Sequence, residues 1–197
     1  MEILTPRGPA LVEVDEAERA KLLLVLTHGS AGGVDAPDLV AVRDAALEVG
    51  ATVARVTQPF RRAGARAPGP APRQDEAWQV VVAELRSAWP ELPVVQGGRS
   101  NGARVACRTA LAVGAVAVVA LAFPLHPPGR PERSRAGELR GAGVDVLAVS
   151  GDRDPFGMPD PGDATRLVVL PGEGHDLKKA PGRVGEVVAR WLTRYGR

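Results

Sequence analysis

Continuous apolar runs of strand length recur along the chain and alternate with longer segments that have helical periodicity. The run Leu-Leu-Leu-Val-Leu-Thr at residues 22–27 is the clearest, and such runs are typical of parallel strands buried on both faces. Six interior strands are predicted, at residues 22–27, 51–56, 93–96, 116–121, 144–150 and 166–170. Two further β-like pieces, residues 1–5 and 10–14, flank a Pro-Arg-Gly-Pro turn and are predicted to form a hairpin.

Helical segments separate the predicted interior strands. They are predicted at residues 37–49, 74–89, 101–113 and 183–195. Strands that alternate with helices indicate βαβ crossovers, so we expect an α/β fold with an eight-stranded, mostly parallel sheet and helices on both faces. A chain of 197 residues has the length of one domain, and residues 1–197 are predicted to form a single one.

Two stretches rich in proline and arginine interrupt this alternation, at residues 58–73 and 123–135. Both follow the carboxyl ends of predicted strands, which is the edge where open α/β sheets bind ligands. Residues 123–143 are too few for a large cap domain. We therefore expect an open, shallow site that is walled by the two proline-rich stretches.

Composition argues against several classes of partner. Twenty-five basic side chains nearly balance 23 acidic ones, and aromatic residues make up only 4%, which does not favour nucleic acid binding. The most apolar run, residues 110–123, is shorter than the ~20 residues that span a membrane, and no signal peptide is visible. Cys107 is the only cysteine, which fits the cytoplasm. We expect no metal, no cofactor, no membrane and no nucleic acid; a protein partner is left open.

The sharpest motif is Gly98-Arg99-Ser100-Asn101-Gly102, which has the form G-x-S-x-G. It lies between a predicted strand and a predicted helix, the setting of a nucleophile elbow, in which a strained turn exposes the serine. The segment does not match G-x-G-x-x-G and no Walker lysine follows, so phosphate binding has little support. Ser100 is therefore predicted to be a nucleophile, with a structural glycine turn as the alternative.

A serine nucleophile needs a base, and the chain has only three histidines. His175 follows the last predicted strand, on a loop at the sheet edge that Ser100 shares, so we predict it to be the base. The acid that orients it is predicted to be Asp154, in the loop after residues 144–150, with Asp152 as the runner-up. His126 is predicted to be a pocket-wall or surface residue, and Arg99, beside the nucleophile, is a pocket-wall candidate with a solvated surface position as the alternative.

An oxyanion hole is predicted at the turn after residues 22–27. There the backbone N–H of Ser30 would point at the developing charge, and the N–H of Asn101 would be the second donor. The turn His28-Gly29 would aim the Ser30 N–H, Gly32 and Gly33 would keep the loop close to the site, and His28 would brace it, whereas a plain glycine turn is the alternative. The chain order of this turn, serine, acid and histidine is the one expected of α/β-hydrolases.

On these residues the chain resembles a compact α/β-hydrolase. It is most similar to the small group that includes the testis-expressed hydrolase-like protein and a subunit of the non-specific lethal histone acetyltransferase complex, and more distantly to dienelactone-hydrolase-type enzymes, although serine stands where those have cysteine. The segments that carry the resemblance are THGSAGG (27–33), GGRSNGARVAC (97–107), FPLHPPG (123–129), SGDRDPFG (150–157) and GHDLK (174–178). The resemblance implies the eight-stranded sheet and supports Ser100, Asp154 and His175 as a triad.

The resulting function hypothesis is a serine hydrolase that cleaves a small carboxylic ester or thioester through an acyl-enzyme. Two alternatives stand beside it. One is a non-catalytic binding or scaffold protein on a hydrolase fold, because fold does not determine function. The other is an acyltransferase, since transfer and hydrolysis share the acyl-enzyme.

Overall fold

The computed structural model describes residues 1–196, and its eight strands form one sheet with helices on both faces. The strands are β1 (Glu2–Thr5), β2 (Gly8–Asp15), β3 (Leu22–Thr27), β4 (Ala51–Thr57), β5 (Val94–Arg99), β6 (Ala117–Leu121), β7 (Asp145–Gly151) and β8 (Arg166–Leu170). The α-helices are α1 (Pro37–Glu48), α2 (Pro59–Arg62), α3 (Ala71–Ala88), α4 (Asn101–Val113), α5 (Ala136–Arg140) and α6 (Pro181–Leu192).

The strands lie in the order β1-β2-β4-β3-β5-β6-β7-β8. Strands β3 to β8 are parallel, whereas β1 and β2 form a hairpin whose second strand pairs antiparallel with β4. The predicted eight-stranded, mostly parallel sheet is confirmed. Because β3, β5, β6 and β7 are neighbours, the loops after these strands meet at one edge of the sheet.

The central strand β3 shows why the sheet needs cover on both sides. Successive side chains of a strand point to opposite faces, and all six residues of β3 are fully buried. Leu23 and Val25 pack into the core with α3 and α4, while Leu24 and Leu26 pack into the core with α1 and α6. The apolar run thus specifies a strand with a hydrophobic layer on each face.

Helix α6 approaches α1 closely at Gly185. A Cβ atom at Gly185 would lie 2.5 Å from the carbonyl oxygen of Ala41, so only glycine allows this separation. On the same helix Val184, Val188 and Trp191 are buried. The apolar side predicted for this segment therefore packs against the sheet and α1 together.

The observed helices differ from the predicted ones mainly at their ends. Helix α3 begins three residues earlier than predicted, at Ala71, because Pro72 suits the first turn of a helix. Helix α6 ends at Leu192, and the Tyr195 hydroxyl beyond it donates to Asp145 Oδ2 at 2.8 Å. The short helices α2 and α5 were not predicted, since each is too brief to show an apolar period.

The prediction of an interior strand at residues 166–170 is wrong in one respect. The strand forms, but as β8 it is the outermost strand of the sheet and pairs only with β7. Only Leu170 of its five residues is buried, and Val169 is 37% exposed. An apolar run alone does not distinguish an edge strand from a central one.

Between β6 and β7 the chain contains only a 3-10 turn at Pro131–Arg133 and the five-residue helix α5. The sheet edge there has no large cap domain, as predicted. No helix within residues 1–196 is long and apolar enough to cross a membrane.

Candidate active site

Ser100 lies between β5 and α4 in a strained backbone conformation, with φ of 54° and ψ of −113°. A positive φ is uncommon outside glycine and marks a conformation that the surrounding structure must enforce. The flanking glycines make the turn possible. A Cβ at Gly98 would lie 2.5 Å from the carbonyl oxygen of Thr27, and one at Gly102 would lie 2.8 Å from the same oxygen. The G-x-S-x-G segment therefore forms a sharp strand-to-helix elbow, which is the geometry that a serine nucleophile requires.

His175 connects Ser100 to Asp154. Its Nε2 lies 2.8 Å from Ser100 Oγ, and its Nδ1 lies 2.7 Å from Asp154 Oδ2. A carboxylate at Nδ1 fixes the tautomer that carries its proton there and leaves Nε2 free to accept the serine proton. The structure brings these three predicted residues together, although they are separated by up to 75 positions in sequence.

The carboxylate of Asp154 is held from two sides. Its side chain is 1% exposed, and its Oδ1 accepts a hydrogen bond from the backbone N–H of Phe156 at 2.8 Å. Asp152, the runner-up, instead accepts from the backbone N–H of Gly172 at 2.7 Å on the exposed side of the loop. Of the two aspartates, only Asp154 contacts His175.

Two contacts that the sequence did not reveal position His175. The Phe156 ring packs against the imidazole with 4.2 Å between ring centroids. At the end of β7, a Cβ on Gly151 would collide with the carbonyl oxygen of Glu173, so the glycine lets the histidine loop cross the strand. The buried Glu173 carboxylate accepts a backbone hydrogen bond from Ala180 at 2.6 Å and thereby closes this loop. Gly151, a glycine at a strand end, could have indicated this close approach from the sequence, whereas no local sequence pattern indicated the role of Phe156.

The turn after β3 lies against the elbow. A Cβ on Gly29 would lie 3.2 Å from Ser100 Cβ, so the turn and the serine are in contact. Neither the Ser30 N–H nor the Asn101 N–H donates a hydrogen bond to another group of residues 1–196. Both residues line the cleft that contains Ser100, so two of the lining residues have backbone N–H groups without a partner among residues 1–196.

His28 braces this turn. Its Nδ1 lies 2.7 Å from the Gly29 carbonyl oxygen, and its Nε2 accepts the backbone N–H of Gln58 at 3.1 Å. One nitrogen must donate and the other accept, which only the neutral ring can do. Burial lowers the pKa of His28, in agreement with this tautomer. His28 thus connects the ends of β3 and β4 and is not placed to act as a base on Ser100.

Arg99 contacts the same turn and is one of the residues that line the cleft. Its Nη1 lies 3.6 Å from the buried carboxylate of Asp38 and 3.4 Å from the carbonyl oxygen of Asp176. A Cβ on Gly32 would lie 3.2 Å from Arg99 Nη2, so the guanidinium also contacts the turn. Arg99 therefore joins the turn, the start of α1 and the histidine loop. No sequence pattern had singled out Asp38.

The cleft around Ser100 has a volume of about 280 Å³. Residues 29–31 form one wall, and Pro124, Arg135, Phe156 and His175 form the opposite wall. The second proline-rich stretch therefore contributes to the wall as expected. The first is not among the lining residues: it encloses a separate apolar cavity of about 170 Å³ between α2 and α3, and it contacts the cleft wall where Arg61 Nη2 donates to the Ala31 carbonyl oxygen at 3.2 Å.

His126 is not among the residues that line the cleft, which corrects its prediction as a pocket-wall residue. Its backbone N–H donates to the Phe156 carbonyl oxygen at 2.9 Å, and its ring packs against Gly157. The imidazole thus lies behind the turn that carries Asp154 and supports it.

The remaining reactive groups are buried or scattered. Burial raises the pKa of the Cys107 thiol to about 12, and the side chain is 1% exposed. No three metal-ligating side chains converge on one point in the part of the chain that the structure describes.

Comparison with known proteins is consistent with this architecture. A family model described as an alpha/beta hydrolase domain matches residues 20–183. No curated protein matches the sequence significantly.

Similar solved structures include a serine hydrolase without lid from Xanthomonas campestris, with TM-score 0.77, 21% identity and coverage of 99% of this chain and 93% of that one. A dienelactone hydrolase from Anabaena variabilis has TM-score 0.79 and 17% identity, with 100% and 97% covered. The esterase domain of a Rhodothermus marinus protein has TM-score 0.73 and 16% identity, with 100% and 98% covered. At these identities the likeness concerns the fold. With a family model matching most of its length, this chain belongs to the α/β-hydrolase family.

Proposed function

We propose that this protein is a serine hydrolase that cleaves a small carboxylic ester or thioester through an acyl-enzyme. The observation that carries the proposal is the continuous hydrogen-bond chain from Ser100 Oγ through His175 to Asp154. A buried carboxylate, an imidazole and a strained serine from three separate loops have no shared structural task. Together they form the arrangement that activates a serine hydroxyl.

In the first step Ser100 Oγ attacks the carbonyl carbon while His175 Nε2 accepts its proton. The imidazolium that forms is stabilised by Asp154, which stays ionised. The carbonyl oxygen becomes an oxyanion, and the free N–H groups of Ser30 and Asn101 are the donors that we assign to it. Collapse of this intermediate expels the alcohol or thiol, which takes the proton from His175.

In the second step water attacks the acyl-enzyme. His175 accepts a proton from the water, and the same two N–H groups stabilise the second oxyanion. Return of the proton to Ser100 Oγ releases the carboxylic acid. The cleft of about 280 Å³, with no cap domain over it, suits a small substrate.

The test is pre-steady-state hydrolysis of p-nitrophenyl acetate and of an acetyl thioester. The wild type should release a burst of p-nitrophenol equal to the enzyme concentration. Ser100→Ala should lower kcat on the order of 10⁶-fold without altering the melting temperature. Ser87→Ala, which changes an exposed hydroxyl on α3, is the matched control and should keep full activity. Turnover retained by Ser100→Ala would refute the assignment.

Three further statements stay predictions from the sequence. They are a single domain over residues 1–197, a cytoplasmic location and similarity to the group of the testis-expressed hydrolase-like protein.

A further inference from the structure

The cleft around Ser100 is lined by side chains of one charge sign. Arg99, Arg104 and Arg135 all line it, and no aspartate or glutamate of the described residues does. A cleft with positive walls concentrates negatively charged ligands. Only a guanidinium group whose charge is not already paired within the protein is free to bind such a ligand.

Two of the three already have a carboxylate partner. Arg104 makes a bidentate pair with Glu138, with Nε–Oε2 at 2.9 Å and Nη2–Oε1 at 2.6 Å. The same glutamate lies 3.4 Å from Arg108, so its charge is already shared. Arg99 lies 3.6 Å from the buried carboxylate of Asp38. The charge of these two guanidinium groups is therefore compensated within the protein.

Arg135 differs from them. Its Nη1 donates to the Pro124 carbonyl oxygen at 2.9 Å, and its backbone N–H donates to the Leu125 carbonyl oxygen at 2.7 Å. No carboxylate of residues 1–196 lies within salt-bridge distance of it. Burial and the neighbouring charge of Arg104 lower the pKa of Arg135 and the more distant charge of Glu138 partly opposes them, although an arginine stays protonated at neutral pH. The structure thus holds an uncompensated cation in place at the cleft wall, next to a second one.

The strand order places Arg135 on the side of the leaving group. The oxyanion turn follows β3, whereas Arg135 is anchored to the loop after β6, on the other side of β5 and Ser100. That loop is bonded to Phe156, which packs against His175. Because His175 gives its proton to the leaving alcohol or thiol, the leaving group must lie on this side.

We propose that the substrate's leaving group carries a carboxylate and that Arg135 is the specificity-determining residue that binds it. This inference rests on the proposed esterase function. One uncompensated guanidinium matches one negative charge, and its planar fork matches the two oxygens of a carboxylate. Because backbone contacts already order Arg135, little conformational entropy is lost when the anion binds.

The test compares two acetate esters that differ in one charge: the acetate of 4-hydroxybenzoate and that of 4-hydroxybenzamide. The wild type should hydrolyse the anionic ester with a kcat/KM at least roughly 10-fold above the neutral one, as one charge-assisted contact allows. Arg135→Gln should reduce this ratio to near one, with the loss falling on the anionic ester. Arg133→Gln removes an exposed arginine on the same segment and should leave the ratio unchanged.

A wild-type ratio of the two kcat/KM values near one would overturn the proposal. So would a high ratio that Arg135→Gln retains. An equal loss of the ratio in Arg133→Gln would also overturn it. Calorimetric measurement of 4-hydroxybenzoate binding to Ser100→Ala distinguishes failure of the anion site from failure of the esterase function. If no ester is hydrolysed but 4-hydroxybenzoate binds and binding is lost on adding Arg135→Gln, the anion site stands and the esterase function fails. If both esters are hydrolysed equally and 4-hydroxybenzoate does not bind, the esterase function stands and the anion site fails.

Discussion

Replacing Asp38 by asparagine should stabilise the protein, and the gain should depend on pH. Asp38 is the second residue of α1 and is completely buried. Neither of its carboxylate oxygens has a hydrogen-bond partner among the described residues, and its nearest cation is Arg99 Nη1 at 3.6 Å. Burial raises the pKa of Asp38 from its ordinary value of 3.8 to about 6, against the opposing effects of Arg99 and of the nearby backbone N–H groups of Leu39 and Asp38, which do not reach hydrogen-bond geometry. The folded protein therefore contains a carboxylate that is costly to ionise.

The sign and size of the effect follow from proton linkage. Below about pH 4 Asp38 is protonated in both the folded and the unfolded chain, so its ionisation costs nothing. Between about pH 4 and pH 6 only the folded chain keeps the proton, so the free energy of unfolding falls as the pH rises. Above pH 6 both states are ionised and the full penalty remains. A shift of about two pKa units corresponds to about 3 kcal/mol.

Asparagine has the same shape and never ionises. Urea unfolding of Asp38→Asn should therefore give a free energy of unfolding up to about 3 kcal/mol above wild type at pH 8, and a difference near zero at pH 4. Asp44→Asn on the same helix is the control, since Asp44 is exposed and pairs with Arg43. A variant less stable than wild type at pH 8 would show that attraction to Arg99 outweighs the burial cost. An equal gain at both pH values would show that ionisation of Asp38 is not its cause.

Three other substitutions or treatments test single contacts. Asp154→Asn should lower kcat about 10⁴-fold, because His175 loses the tautomer that accepts the serine proton. Asp152→Asn should stay near wild type in the same ester assay. Equal losses in the two variants would contradict the assignment of Asp154 as the acid. Gly102→Ala places a Cβ 2.8 Å from the Thr27 carbonyl oxygen, and should cost about 1–3 kcal/mol in urea unfolding as well as activity; an unchanged midpoint would show that the elbow relaxes freely. Cys107, whose pKa is raised to about 12 by burial, should react with iodoacetamide only after unfolding, as followed by mass spectrometry, and labelling of the folded protein would contradict its burial.

The parts of this structure that sequence predicts well are those that local pattern encodes. Six apolar residues in a row at β3 require a strand covered on both faces, and G-x-S-x-G between a strand and a helix requires the turn at Ser100. The edge position of β8 was missed because pairing on one side only is a property of the whole sheet.

The site was predictable where chemistry restricts the choice of residue. All three histidines of the chain follow predicted strands, and His175 was chosen because it follows the last one, while Asp154 was chosen in the loop after the preceding strand. Two contacts were not predictable from the sequence: the packing of Phe156 on His175 and the burial of Asp38 near Arg99. Each of them joins elements that are distant in sequence. His126 was misplaced for the same reason, since the side of the loop that faces the cleft depends on contacts with the turn at Gly157.

The central claim is that Ser100 is a nucleophile activated by His175. The most direct measurement is treatment with a fluorophosphonate, in which the serine oxygen displaces fluoride from phosphorus, followed by mapping of the adduct by mass spectrometry. We expect one adduct, on Ser100, that is absent in Ser100→Ala and in His175→Ala while both variants stay folded. An adduct on another residue, or a folded wild-type protein that does not react, would contradict it.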